Sequence, residues 1–167
     1  MCKCNNIYKY SESGLHHECG VLGIYGVPDA ANLAYYGLHA LQHRGQQGCG
    51  IVSVDSEGEF HRFRGDGLVT EVFNEDKISK LQGNMAIGHV RYSNAKCKGT
   101  ENIQPFLFHH NSGDFAMANN GQIANYVQLR LELEDKGSLF QSASDAEVIA
   151  HLIKKQGTDK TLPRIYS

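Results

Sequence analysis

The sequence predicts an α+β protein, and three observations carry that prediction. Turn signals sit between apolar runs at Asp55-Ser56-Glu57-Gly58 and Asn111-Ser112-Gly113-Asp114, as in antiparallel hairpins. Asn125 with Gln128, and Ser144 with Glu147, have the spacing of a capping box at a helix start. The 167 residues are 41% hydrophobic and 20% charged, the composition of a globular chain with a real core.

The elements follow in order. Residues 1–18 are polar with little periodicity and read as a leader. Residues 19–25 form a strand, too uniformly apolar for a half-exposed one. Pro28 and Asp29 open a helix to about Gln42, with Ala31, Leu33, Ala34, Tyr35, Leu38 and Leu41 as its apolar stripe. RGQQGCG (44–50) is a glycine-rich turn into a strand at 51–54, which the turn at 55–58 folds onto 59–63. Short helices at 68–73 and 78–81 precede a strand at 85–90. Residues 91–104, RYSNAKCKGTENIQ, are polar, irregular and long for a loop, as functional lids are. A second hairpin joins 105–109 to 115–118. In 125–136, Val127, Leu129, Leu131 and Leu133 alternate as a strand would, but the Asn125 cap, helix-forming interior and Gly137 stop favour a helix. Ser144 opens the last helix, to about Lys155.

Composition excludes several function classes. Net charge is −2 with histidine neutral, so no global field draws the chain to nucleic acid or an anionic membrane. No apolar run is long enough to cross a bilayer, and MCKCNNIYKY lacks the apolar stretch of a secretory signal. Cys2, Cys4, Cys19, Cys49 and Cys97 follow no disulfide-framework spacing, so a cytoplasmic chain with reduced thiols is expected. No metal site is expected either. His16-His17 with Cys2 and Cys4 match no zinc spacing, and His109-His110 on a strand point to opposite faces. RGQQGCG lacks the Lys-Ser/Thr pair of a phosphate-binding loop.

Cys19 opens the first apolar run, and its position raises a chemical possibility. Buried cysteines are usually small hydrophobes. If the Glu18–Cys19 bond were cut, however, one residue would carry both a thiol and a free α-amine. An α-amine titrates near 7.7–8.0, the range wanted of a general base at neutral pH. A nucleophile that supplies its own base is a known arrangement. With the leader attached, that nitrogen is an amide, and residues 1–18 act as a lock.

Five segments in order, CGVLGIYG, LHALQHRGQQGCGIVS, IGHVRYSN, NNGQIANY and SDAEVI, resemble the glutaminase domain of the amidophosphoribosyltransferase family. These are class II glutamine amidotransferases and N-terminal-nucleophile hydrolases. The resemblance spans about Cys19 to Lys155, and LQHRGQ separates it from the sugar-amidating and glutamate-synthesising relatives. It implies a four-layer αββα sandwich, incomplete at the C-terminus. Residues 1–18 would be a propeptide cleaved at Glu18–Cys19, residues 19–167 the front of the glutaminase domain, and the phosphoribosyltransferase domain absent.

The resemblance also implies roles. Cys19 would attack the side-chain amide of glutamine, with Asn120 and the Gly121 N–H as oxyanion hole. Only the spacing to Gly121 favours Asn120 over Asn119, and an Asn-Gly pair is by itself a turn. Arg91 would hold the α-carboxylate, a task suited to a bidentate guanidinium, although a strand-end arginine is ordinarily solvated. Asp145 would hold the α-ammonium, although an aspartate in a first helical turn already suits the helix dipole. Arg44 would brace the nucleophile, and 92–104 would be the lid, with Asn94 where threonine is usual.

No cofactor is implied in this chain. Full-length relatives use Mg²⁺ and, in one branch, an iron–sulfur cluster, both outside this segment. The implied partners are glutamine, phosphoribosyl pyrophosphate through the absent domain, and further copies of the full-length enzyme. The parent activity would make phosphoribosylamine for purine synthesis. Two alternatives stand beside it: an unprocessed, non-catalytic fragment, and a class II amidotransferase with another acceptor.

Overall fold

The computed structural model describes residues 19–92, 99–111 and 113–156. The expected leader, most of the lid (93–98), the turn residue Ser112 and residues after Gln156 lie outside the described residues. The chain divides between Asn120 and Gly121 into two compact units.

The first unit is built on an antiparallel sheet of β1 (Gly20–Tyr25), β2 (Gly48–Val54), β3 (Phe60–Asp66) and β4 (Met85–Arg91), in the order β1-β4-β2-β3. Helix α1 (Ala30–Ala40) packs on one face, with α2 (Val69–Val72) and α3 (Glu75–Ser79) beside it. Alternate sheet residues Cys49, Ile51, Ala86 and Val90 meet Ala30, Ala31, Ala34 and Leu38 of α1 there. The other sheet face carries the segment Ile103 to Pro105, which leads into the hairpin of β5 (Phe106–Phe108) and β6 (Phe115–Met117). The second unit holds α4 (Tyr126–Asp135) and α5 (Asp145–Gln156).

Several expectations need correction. Strand β1 is an edge strand and only half covered, with Tyr25 72% exposed. Its apolar residues face both ways because only one face meets α1. The buried stripe of α1 is alanine-rich, and Leu33 points outward, since small residues let the helix sit close on the sheet. Strand β2 begins at Gly48, so the second half of RGQQGCG is strand rather than turn. Those glycines are there for close approach. A Cβ on Gly48 would lie 2.7 Å from the Ile103 side chain, and one on Gly50 would overlap the Gln104 carbonyl oxygen.

Helix α3 starts earlier than expected, because the Asn74 side chain caps it by accepting the Lys77 N–H at 3.0 Å. Asn125 makes no side-chain cap on α4. That helix is closed instead at its far end, where Gly137 (φ 88°) and Ser138 donate to the Glu134 and Leu133 carbonyls, both at 2.9 Å. Ser144 does cap α5, accepting the Ala146 N–H at 3.3 Å, but Glu147 does not complete the box. Its buried carboxylate instead accepts the Gln141 and Ser142 N–H groups at 2.8 and 2.7 Å and the Ser142 hydroxyl at 2.6 Å.

Candidate active site

Cys19 immediately precedes Gly20, which pairs with Val90, so its thiol sits at the C-terminal end of β4. There Sγ accepts the backbone N–H of Tyr92 at 3.3 Å and donates to the Tyr92 carbonyl at 3.5 Å. Arg44 donates from Nε to the Cys19 carbonyl at 3.3 Å. Its 3-10 turn, Gln42–Arg44, is held by the Gln42 carboxamide, which donates to the Gly45 carbonyl at 2.5 Å and accepts the Val69 N–H at 2.6 Å. Gly45 lies flush on Arg91, and the Gln47 N–H donates to the Arg91 carbonyl at 3.1 Å. Cys19, Arg44 and Arg91 thus meet at one end of one sheet. By contrast Cys49 is fully buried in the α1 core, where desolvation and the Glu71 charge push its thiol up to about 12.

Strand alternation puts Arg91 and His89 on the face away from α1. His89 is 1% exposed, with both ring nitrogens buried. Burial pushes its pKa down to about 4, the positive charge of Arg91 acts the same way, and the Asn119 backbone opposes them. The imidazole is therefore neutral at ordinary pH. On the same face, the Gln104 carboxamide pairs with the Asn119 peptide, accepting its N–H at 2.6 Å and donating to its carbonyl at 3.3 Å. Asn120, exposed, ends this unit.

In the second unit Asp145 opens α5, and its Oδ2 accepts the Ile123 N–H at 2.7 Å, tying the helix start to the segment after Gly121. The loop before Asp145 is fixed by the Glu147 carboxylate and by Arg130. Arg130 donates to the Ser142 carbonyl at 2.8 Å and lies 4.3 Å over the Phe140 ring. His109, on the second hairpin, pairs with Asp114 at 2.6 Å. Cys2, Cys4, His16, His17 and Glu18 lie outside the described residues.

His89 lies within IGHVRYSN and Glu147 within the Ser144 capping pattern, yet neither residue nor Gln104 carried a site role in the sequence. A histidine inside an apolar strand was a visible signal. The grip of Gln104 on Asn119 joins residues 15 apart that the fold brings together, whereas Glu147 closes a local loop onto residues five and six positions before it.

The family model described as glutamine amidotransferase domain matches residues 75–166, more than half of the chain. The amidophosphoribosyltransferase of Lacticaseibacillus casei is 49% identical over 148 residues, covering 88% of this chain and 76% of that protein. The chain belongs to the amidophosphoribosyltransferase family. The Bacillus subtilis member is 53% identical over 86% of this chain, and the match spans 30% of that protein's length. Among solved structures, the B. subtilis glutamine phosphoribosylpyrophosphate amidotransferase complexed with ADP and GMP superposes with a TM-score of 0.76. It is 51% identical over 82% of this chain and 29% of its own. A structure described as the allosteric regulatory enzyme of purine biosynthesis gives a TM-score of 0.78 at 52% identity, over 82% of this chain and 30% of its own. The α+β fold is therefore that of the family, of the N-terminal-nucleophile hydrolase type. Among the described residues, no helix is long and apolar enough to cross a membrane.

Proposed function

We propose that this chain is the glutaminase part of a glutamine-dependent amidophosphoribosyltransferase of purine synthesis, with Cys19 as its nucleophile. One observation carries the reading. The Cys19 thiol is held by the Tyr92 backbone at the strand end that also carries Arg91, with Arg44 on the Cys19 carbonyl.

The chemistry follows from the residue types. Once the Glu18–Cys19 amide is hydrolysed, the freed α-amine takes the thiol proton. The thiolate then attacks the side-chain carbonyl of glutamine. The oxyanion is stabilised by the Asn120 carboxamide and the Gly121 N–H, and losing one such donor typically lowers a rate by about 10²–10³. Collapse expels ammonia, with the proton returned by the α-ammonium of Cys19, and water hydrolyses the thioester to glutamate. Arg91 pairs with the α-carboxylate and Asp145 with the α-ammonium. Asp145 Oδ2 is engaged by Ile123, which orients the carboxyl group. In the longer enzyme the ammonia goes to C1 of phosphoribosyl pyrophosphate, giving phosphoribosylamine. Mg²⁺ and any iron–sulfur cluster belong outside this segment, and the full-length enzyme assembles as a homo-oligomer.

Intact mass of the purified chain beside a Cys19→Ala variant tests the proposal. The wild type is expected to lose residues 1–18 and the variant to retain them, and the shortened chain to release ammonia from glutamine. A wild type that stays full length and inert would overturn the reading.

A further inference from the structure

Asn119 immediately precedes the residue assigned to the oxyanion hole, and its peptide is gripped from both sides by one side chain. Gln104 Oε1 accepts the Asn119 N–H at 2.6 Å while Gln104 Nε2 donates to the Asn119 carbonyl at 3.3 Å. A carboxamide meeting a peptide in this reciprocal way copies a backbone ladder pair, and the Asn119 N–H fixes which end is oxygen. Gln104 is 15 residues away in sequence and only 7% exposed, so its side of the pair is buried. Its backbone is fixed too. The Gln104 carbonyl lies where a Cβ on Gly50 would be, and Arg64 donates to the neighbouring Ile103 carbonyl at 2.7 Å. The Asn119 backbone also runs past the buried, neutral His89. Gln104 is at the same time the last residue of the loop that leaves Arg91.

We infer that Gln104 is a positioning residue for glutamine hydrolysis, locking the Asn119 peptide so that the Asn120 carboxamide is pre-set for the oxyanion. This rests on the assignment of Cys19 as a glutaminase nucleophile. An oxyanion donor acts only if it is held in place before charge develops, and a site left loose by about 1 Å loses most of that benefit. Gln104 touches no reacting atom, so its removal should weaken transition-state stabilisation and leave ground-state glutamine binding intact.

The experiment uses the full chain as wild type, Gln104→Leu and Gln104→Glu. Three quantities are measured: kcat and KM for glutamine, and the rate at which iodoacetamide alkylates Cys19, a reaction that forms no oxyanion. The leucine variant, similar in volume, removes both hydrogen bonds. Its kcat is expected to fall by roughly 10–100-fold, with KM within about twofold and alkylation unchanged. The glutamate variant keeps the acceptor and loses the donor, and its kcat is expected to fall by about 5-fold or more. It carries the test should the leucine variant not fold. Unchanged kcat in a folded variant overturns the inference, and so does a loss confined to KM or matched by slower alkylation. A wild type that is alkylated at Cys19 but inert toward glutamine overturns the underlying assignment instead.

Discussion

His89 shows how a single position sets a charge state. Strand β4 places it beneath the segment that ends at Asn120, buried and beside Arg91, so the folded chain holds a neutral imidazole. In the unfolded chain the same ring takes its proton near pH 6.5. The unfolded state therefore binds the proton first. Stability is fully present above about pH 6.5 and is lost as pH falls toward 4, by at most about 3 kcal/mol. Urea unfolding at pH 7 and pH 4.5, for wild type and His89→Leu, measures this. The wild type should lose about 2 kcal/mol more than the variant over that interval, and parallel losses would refute the assignment. Neutrality here also leaves Arg91 as the cation of the β4 pair, in keeping with the α-carboxylate role proposed for it.

At the scale of elements, β2 and β1 use glycine for opposite reasons. Gly50 in central β2 lies under the Gln104 carbonyl, with Arg64 and Pro105 carbons 3.0 Å from where its Cβ would be. Gly23 on edge strand β1 has, among the described residues, nothing within 4 Å of that point. Gly50→Ala should therefore force the 103–105 segment off the sheet and cost about 1–3 kcal/mol. Gly23→Ala should change stability by less than about 0.5 kcal/mol. Equal unfolding midpoints for the two variants would remove the close-packing account.

The same contrast explains what could be read in advance. The β2–β3 hairpin was legible because its turn is local: Asp55 Oδ1 accepts the Glu57 and Glu59 N–H groups at 2.8 and 3.0 Å, and Gly58 takes φ 86°. Gly48 and Gly50 read as a turn because nothing local marks a glycine needed for neighbours as distant in sequence as Ile103 and Gln104. Cys19, Arg44 and Arg91 were legible as motif residues. Gln104 was not, since its partner is chosen by the packing of one hairpin on one sheet.

On the scale of the whole molecule, charge and sheet edge act together. Strand β1 closes one side of the four-stranded sheet, and among the described residues no strand pairs with its outer edge. Its sequence, GVLGIY, carries none of the lysines or prolines that blunt free edges. The chain has 16 basic and 18 acidic residues and nine histidines. Histidine protonation thus carries the net charge through zero near neutral pH, where electrostatic repulsion between copies vanishes. Self-association through β1 should then be greatest at about pH 6–7 and fall several-fold by about pH 8.5, as followed by static light scattering at fixed concentration. Tyr25→Lys puts a charge on the exposed end of β1, away from Cys19, whereas Tyr36→Lys adds the same charge on exposed α1. The β1 variant should suppress the scattering peak well beyond the α1 variant, with both unfolding midpoints unchanged. Equal suppression would make net charge alone responsible, and scattering that does not vary with pH would remove both parts of the account.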